Sequence, residues 1–155
     1  MTADDFNRAG VGRLPGYLGV HVLSVKGREL RAELAVRPEL MAPNGYLHAG
    51  SLITLADTCC GYGCRANLPA GANGFTTIEL KSNHLGTTVD GMIDCVATAA
   101  HLGKTTQVWD AVVVHRKRAG RSRFSAAPRW SCIPGNRCSL AGTFNVDPPQ
   151  DRAGR

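Results

Sequence analysis

One stretch of this chain limits the folds open to it more than any other. SLITLADTCCGYGCRAN, residues 51–67, carries Leu52, Leu55, Ala56, Cys59 and Cys60 at helical spacing, after a Gly50-Ser51 start suited to an N-cap. Ala56, Cys59, Cys60, Gly61 and Gly63 are small, which suits a helix that other elements approach closely. Around this run the period is two. Tyr17 to Val36 reads as a hairpin turning at Lys26-Gly27, with Leu30, Ala32, Leu34 and Val36 on one face. Pro38 and Pro43-Asn44-Gly45 mark a loop, and LPAGANG ends the helix. Phe75–His84, Met92–Ala100 and Thr105–Val114 read as strands, divided by turns at Gly86–Gly91 and Leu102-Gly103-Lys104. Two strands, one long helix and a further run of strands make an α+β layout, a helix packed on an antiparallel sheet.

Composition narrows the function classes. Hydrophobic residues at 43% and charged residues at 19% fit a globular domain and exclude a disordered chain. The longest apolar runs fall far short of a membrane span. The N-terminus MTADDFNRAG is acidic and has no apolar core of the kind a signal peptide needs. The six cysteines are therefore expected as reduced thiols in a cytoplasmic protein. The net charge of +6 suggests nucleic acid only until it is divided. Residues 1–114 carry −1 and residues 115–155 carry +7, so body and tail are separate questions.

Chemistry concentrates in NGYLHAGSLITLADTCCGYG, residues 44–63. A loop holding Asn44 and His48 runs through Ala49-Gly50 into a helix start, whose unpaired N–H groups and dipole suit an anion or a developing oxyanion. Gly50 lets a carbonyl approach the backbone. Two turns in, an otherwise apolar helix carries one carboxylate, Asp57. A lone helical Asp is most often merely solvated. Here Leu55 and Ala56 precede it, two cysteines follow, and no cation comes before Arg65, so an acid stands where burial is wanted. His48 alone more often serves a loop than a reaction, and Asn44 in PNG is first a turn residue.

Together with GFTTIELKSNHLGTTVDGMIDCVATAAHLGKTTQVWDAVV, this stretch resembles the hotdog-fold acyl-CoA thioesterases of the PaaI-like group over roughly residues 10–115. The resemblance implies one long central helix wrapped by an antiparallel sheet, and hydrolysis of an acyl-CoA thioester without metal or other cofactor. It carries the family's turn onto His48-Ala49-Gly50, its acid onto Asp57 and its strand hydroxyl onto Thr77. The Ala49 N–H, with Gly50 as second candidate, would polarise the thioester carbonyl. Asp57 would be nucleophile or general base, Thr77 would orient water or the acid, and His48 would position the turn. Ala49 departs from the family's usual first glycine. The family's Asn or Gln falls strictly at Ala42, with Asn44 nearby. The resemblance further implies a homodimer or homotetramer, with Asp57 meeting Thr77 of the partner subunit and the lone monomer inactive. A non-catalytic hotdog protein that binds acyl-CoA or a protein partner is the alternative.

Other constellations carry less. Cys60 and Cys64 stand four apart on the helix without a second ligand pair, which reads as small buried thiols rather than a metal site. There is no G-x-S-x-G elbow, and neither a Walker nor a Rossmann fingerprint. Trp109 reads as a strand core residue. Arg65, Lys81 and Lys104 are bases that CoA phosphates could meet. Residues 1–115 thus form one domain lacking a clear last strand, and residues 116–155 form a basic tail expected to be irregular and disordered. HRKRAGRSR lacks interleaved aromatics, so neither nucleic acid nor membrane is expected as its partner. A third origin fits the tail better. Read one base earlier, with permitted codons, SRFSAAPRWSCIP becomes VALFRCTQMVLYP, an amphipathic strand of the kind the sheet still needs. The expectation is a one-base slip of the reading frame near Arg116-Lys117.

Overall fold

The computed structural model of the chain describes residues 1–116 and 129–135. It begins with helix α1, Ala3–Gly10, which the apolar periodicity does not announce. Its signal is the capping box Thr2-x-x-Asp5: the Thr2 hydroxyl accepts from the Asp5 N–H at 3.2 Å and the Asp5 carboxylate from the Thr2 N–H at 2.8 Å. A short helix α2, Leu14–Leu18, ends at Gly19 in the left-handed region with φ 82°. The expected hairpin therefore starts later than Tyr17, with β1 at His21–Lys26 and β2 at Glu29–Ala35. Leu30, Ala32 and Leu34 of β2 are all buried, as their alternation predicts.

After a 3-10 turn at Pro38–Leu40 comes α3, Ala49–Ala66. β3 spans Gly74–Lys81, β4 Met92–Leu102 and β5 Gln107–His115. A sixth strand, β6 at Arg129–Gly135, corrects the expectation that no strand follows Val114. It fills a slot whose two sides both present backbone donors and acceptors, and backbone pairing does not demand the apolar alternation by which a strand is read from sequence. The remaining expectations for the tail fall on 117–128 and 136–155, outside the described residues. The sheet order is β1-β2-β4-β5-β6-β3, antiparallel at every step.

α3 lies across β2, β4 and β5. Leu52, Leu55, Ala56 and Cys59 join Ile93, Cys95 and Ala97 of β4 and Trp109, Ala111 and Val113 of β5 in one core. Close approach depends on Gly63: a Cβ there would stand 2.6 Å from the Trp109 ring. Trp109 Nε1 donates to Gln107 Oε1 at 3.0 Å, and Gln107 Nε2 donates to the Asn67 carbonyl at 2.8 Å. Asn67 in turn donates through Nδ2 to the Gly27 carbonyl at 2.8 Å, so one side chain ties the helix end to the β1–β2 turn. These bonds satisfy buried polar groups that would otherwise cost about 1–3 kcal/mol each. Among the described residues no helix is long and apolar enough to cross a membrane.

Candidate active site

The loop before α3 is held on both sides. The Leu47 N–H donates to the Thr88 carbonyl at 2.8 Å, and His48 N–H and Ser51 Oγ both donate to the Leu40 carbonyl, at 3.0 and 3.1 Å. Asn44 makes the turn, its Oδ1 accepting from the Tyr46 N–H at 3.2 Å beside Gly45 with φ 82°. The N-cap is His48 rather than the Gly50-Ser51 pair: its Nδ1 accepts from the Gly50 N–H at 2.8 Å. An imidazole that accepts at Nδ1 carries its proton at Nε2. The Ser51 N–H turns back to the His48 carbonyl at 2.9 Å. Of the two donors expected for an oxyanion, Gly50 is thus engaged, and the Ala49 N–H donates to no group among the described residues.

A cavity of about 370 Å³ opens beside this helix start, lined by Ala42, Asn44, His48 and Ala49 and, from the loop after β3, by His84 and Thr87. Nothing in the sequence marks His84. A second cavity, about 380 Å³, is lined by Asp57, Gly61, Tyr62, Arg65, Phe75 and Thr77. Asp57 and Thr77 therefore share a cavity within one chain, where the sequence resemblance implied Thr77 of the partner subunit. The reason is local. Phe75 packs edge-on over Gly61, where a Cβ would lie 3.0 Å from the ring, and draws the first half of β3 against α3. What one chain does not bring together is Ala49 and Asp57. Eight residues separate them, about 12 Å along the axis, and each faces its own cavity.

Asp57 is half-buried and makes no hydrogen bond or ion pair among the described residues. Burial alone raises its pKa above the ordinary carboxylate value. Among the described residues no group of three His, Cys, Asp or Glu side chains could hold a metal ion. Cys59, Cys60, Cys64 and Cys95 are buried thiols, and burial pushes the Cys59 thiol well up, which leaves it a packing residue.

Known proteins share this fold. The family model described as the thioesterase superfamily matches residues 44–120, the stretch holding both cavities' helix and strands. A 1,4-dihydroxy-2-naphthoyl-CoA hydrolase of Listeria monocytogenes is 31% identical over 93 residues, covering 60% of this chain and 75% of the relative. The chain belongs to the thioesterase superfamily. A relative from Escherichia coli, also a 1,4-dihydroxy-2-naphthoyl-CoA hydrolase, is 27% identical over 76% of this chain and 85% of its own length. The crystal structure of a mutant thioesterase from Pseudomonas aeruginosa superimposes with a TM-score of 0.76 at 25% identity, covering 84% of this chain and 91% of that one. A Haemophilus influenzae thioesterase structure gives 0.79 at 22% identity, over 91% and 95%, a likeness of fold. The α+β hotdog architecture expected from sequence is that of this superfamily.

Sequence reasoning points to Asp57, Thr77, His48, Ala49, Gly50 and Asn44, and all of them line the two cavities except Gly50, which is spent on the cap. It does not reach Tyr62 and Phe75. A signal for the first exists: Tyr62 stands four residues past Thr58, which lines the same cavity beside Asp57.

Proposed function

We propose that this thioesterase hydrolyses an acyl-CoA thioester to the free acid and CoA. The observation that carries the reading is Asp57: a desolvated carboxylate with no partner among the described residues, in a cavity that also holds a hydroxyl, on the central helix of a thioesterase-superfamily fold. In this reading the Ala49 N–H receives the carbonyl oxygen as it gains charge. Asp57 attacks the thioester carbon, or takes a proton from the water that does, and Thr77 orients it. His48 holds the turn by capping α3 through Nδ1. The Listeria and E. coli relatives, named as naphthoyl-CoA hydrolases, support a CoA thioester as the substrate class.

Two copies complete the site in this proposal. A substrate carbonyl cannot meet both the Ala49 N–H and the Asp57 carboxylate when they lie about 12 Å apart along one helix. If two α3 helices run antiparallel about a twofold axis beside Ile53, Ala49 of one chain comes abreast of Asp57 of the partner subunit. β3 is an outer strand of the sheet and leaves Ile78 and Leu80 exposed at 53% and 37%, apolar area that such a pairing would cover. The test is thiol release from a panel of acyl-CoA thioesters, with Asp57→Ala beside the parental chain. Turnover that the substitution abolishes is the expected result. Turnover surviving in Asp57→Ala removes the carboxylate from the mechanism.

A further inference from the structure

α3 contains two interior glycines, each less favourable in a helix than alanine by about 1 kcal/mol. Gly63 has its reason in the core, where the Trp109 ring occupies the place of a Cβ at 2.6 Å. Gly61 has no such core neighbour. It lies one turn beyond Asp57 on the same face and lines the Asp57 cavity. The nearest atom to a Cβ there would be Phe75 Cζ, at 3.0 Å. The opposite wall does not yield: Tyr62 is stacked on Phe6 with ring centroids 4.5 Å apart, and Phe6 is buried. Phe75 is only half-buried, on a strand at the margin of the sheet.

Resting on the thioester-hydrolase reading of this cavity, we propose that Gly61 and Phe75 set the size of the acyl group the site accepts. The bulk next to the thioester carbonyl lies over Gly61, in the volume a side chain would fill, and the Phe75 ring closes that volume from β3. A substrate branched or cyclic at the carbon beside the carbonyl uses this space, and an acetyl group leaves most of it empty. The missing side chain is in this sense part of the binding site.

The experiment compares cyclohexanecarbonyl-CoA with acetyl-CoA for the parental chain, Gly61→Ala, Phe75→Ala and the double variant. Gly61→Ala is expected to lower the cyclohexanecarbonyl-to-acetyl ratio of kcat/KM about tenfold, in the range one methyl group controls in an apolar pocket. Phe75→Ala in the Gly61→Ala background is expected to return most of that ratio, with Phe75→Leu as the substitute should the alanine chain melt early. An unchanged ratio, or one that Phe75 truncation does not recover, overturns the assignment. The same chains are titrated with the thioethers S-ethyl-CoA and S-cyclohexylmethyl-CoA, which cannot be hydrolysed. If no chain releases thiol but the ratio of thioether dissociation constants shifts as described, hydrolysis fails as the function and the acyl space stands. Thiol release without any such shift leaves hydrolysis standing and overturns the acyl space.

Discussion

Two side chains of α3 and its cap tie chemistry to stability, and each makes an expectation. Asp57 is raised by burial, so the folded chain holds that proton more tightly than the unfolded chain does. Its charge therefore costs stability above the folded pKa and costs nothing below the ordinary carboxylate value of about 3.9. Asp57→Asn should melt higher than the parental chain at pH 7 and identically near pH 3, while thiol release falls about a hundred- to ten-thousand-fold. Equal melting temperatures at pH 7 would mean the carboxylate is not desolvated. If the ionised carboxylate reacts as proposed, the same shift should move the acid limb of kcat/KM above the ordinary carboxylate value. His48 is the second case: His48→Ala removes the cap acceptor and should cost about 1 kcal/mol by denaturant titration, most of which His48→Asn returns. At this scale the sequence is informative where a residue is out of place. An acid among Leu55, Ala56 and Cys59 is visible without coordinates. Which helix-start N–H remains available is not, because a ring nitrogen two residues back decides it.

At the scale of elements, α3 is legible because its periodicity is strong, and its two ends are not. The His48 cap and the Asn67 bond to the Gly27 carbonyl are made by loop residues reaching 2 and 40 positions along the chain. β2, β4 and β5 alternate cleanly, and their sequence pattern places them to within a few residues. α1 escapes that pattern because only a capping box marks it, and the hairpin reads too early because YLGVHV is β-rich on both sides of Gly19. The glycines of α3 give a paired test. Gly63→Ala drives a methyl into Trp109 and should destabilise by about 1–3 kcal/mol. Gly61→Ala meets only a half-buried ring edge and should melt close to the parental chain. Equal losses in the two variants would contradict the view that one face is core and the other is cavity.

At the scale of the whole molecule, β3 joins the sheet, among the described residues, through β6 alone. Removing everything after Arg116 leaves β3 without a strand partner and strips the Asp57 cavity of a fixed Thr77 wall. That truncated chain should lose thiol release while α3 and β1, β2, β4 and β5 keep their amide-exchange protection. Protection surviving in β3 as well would show that β6 is dispensable. A slipped reading frame would act at this scale too. Resequencing across Arg116-Lys117 tests it, and codons incompatible with VALFRCTQMVLYP would sink it. If the slip is real, the frame-restored chain should melt higher, since an alternating strand would enter the slot between β5 and β3. Sequence could not foresee that slot being filled by RWSCIPG, because strand formation there follows from two waiting neighbours and not from a pattern of its own.

The order of the strands also sets a schedule. β3 leaves the ribosome before β4 and β5, yet among the described residues its one pairing is with β6, about fifty residues later. Until that strand emerges, β3 has no ladder to join among the described residues, and only the packing of Phe75 over Gly61 holds it to α3. The Asp57 cavity thus gains a fixed Thr77 wall only with β6, and on the proposed function the chain should acquire activity only once synthesis has passed that strand.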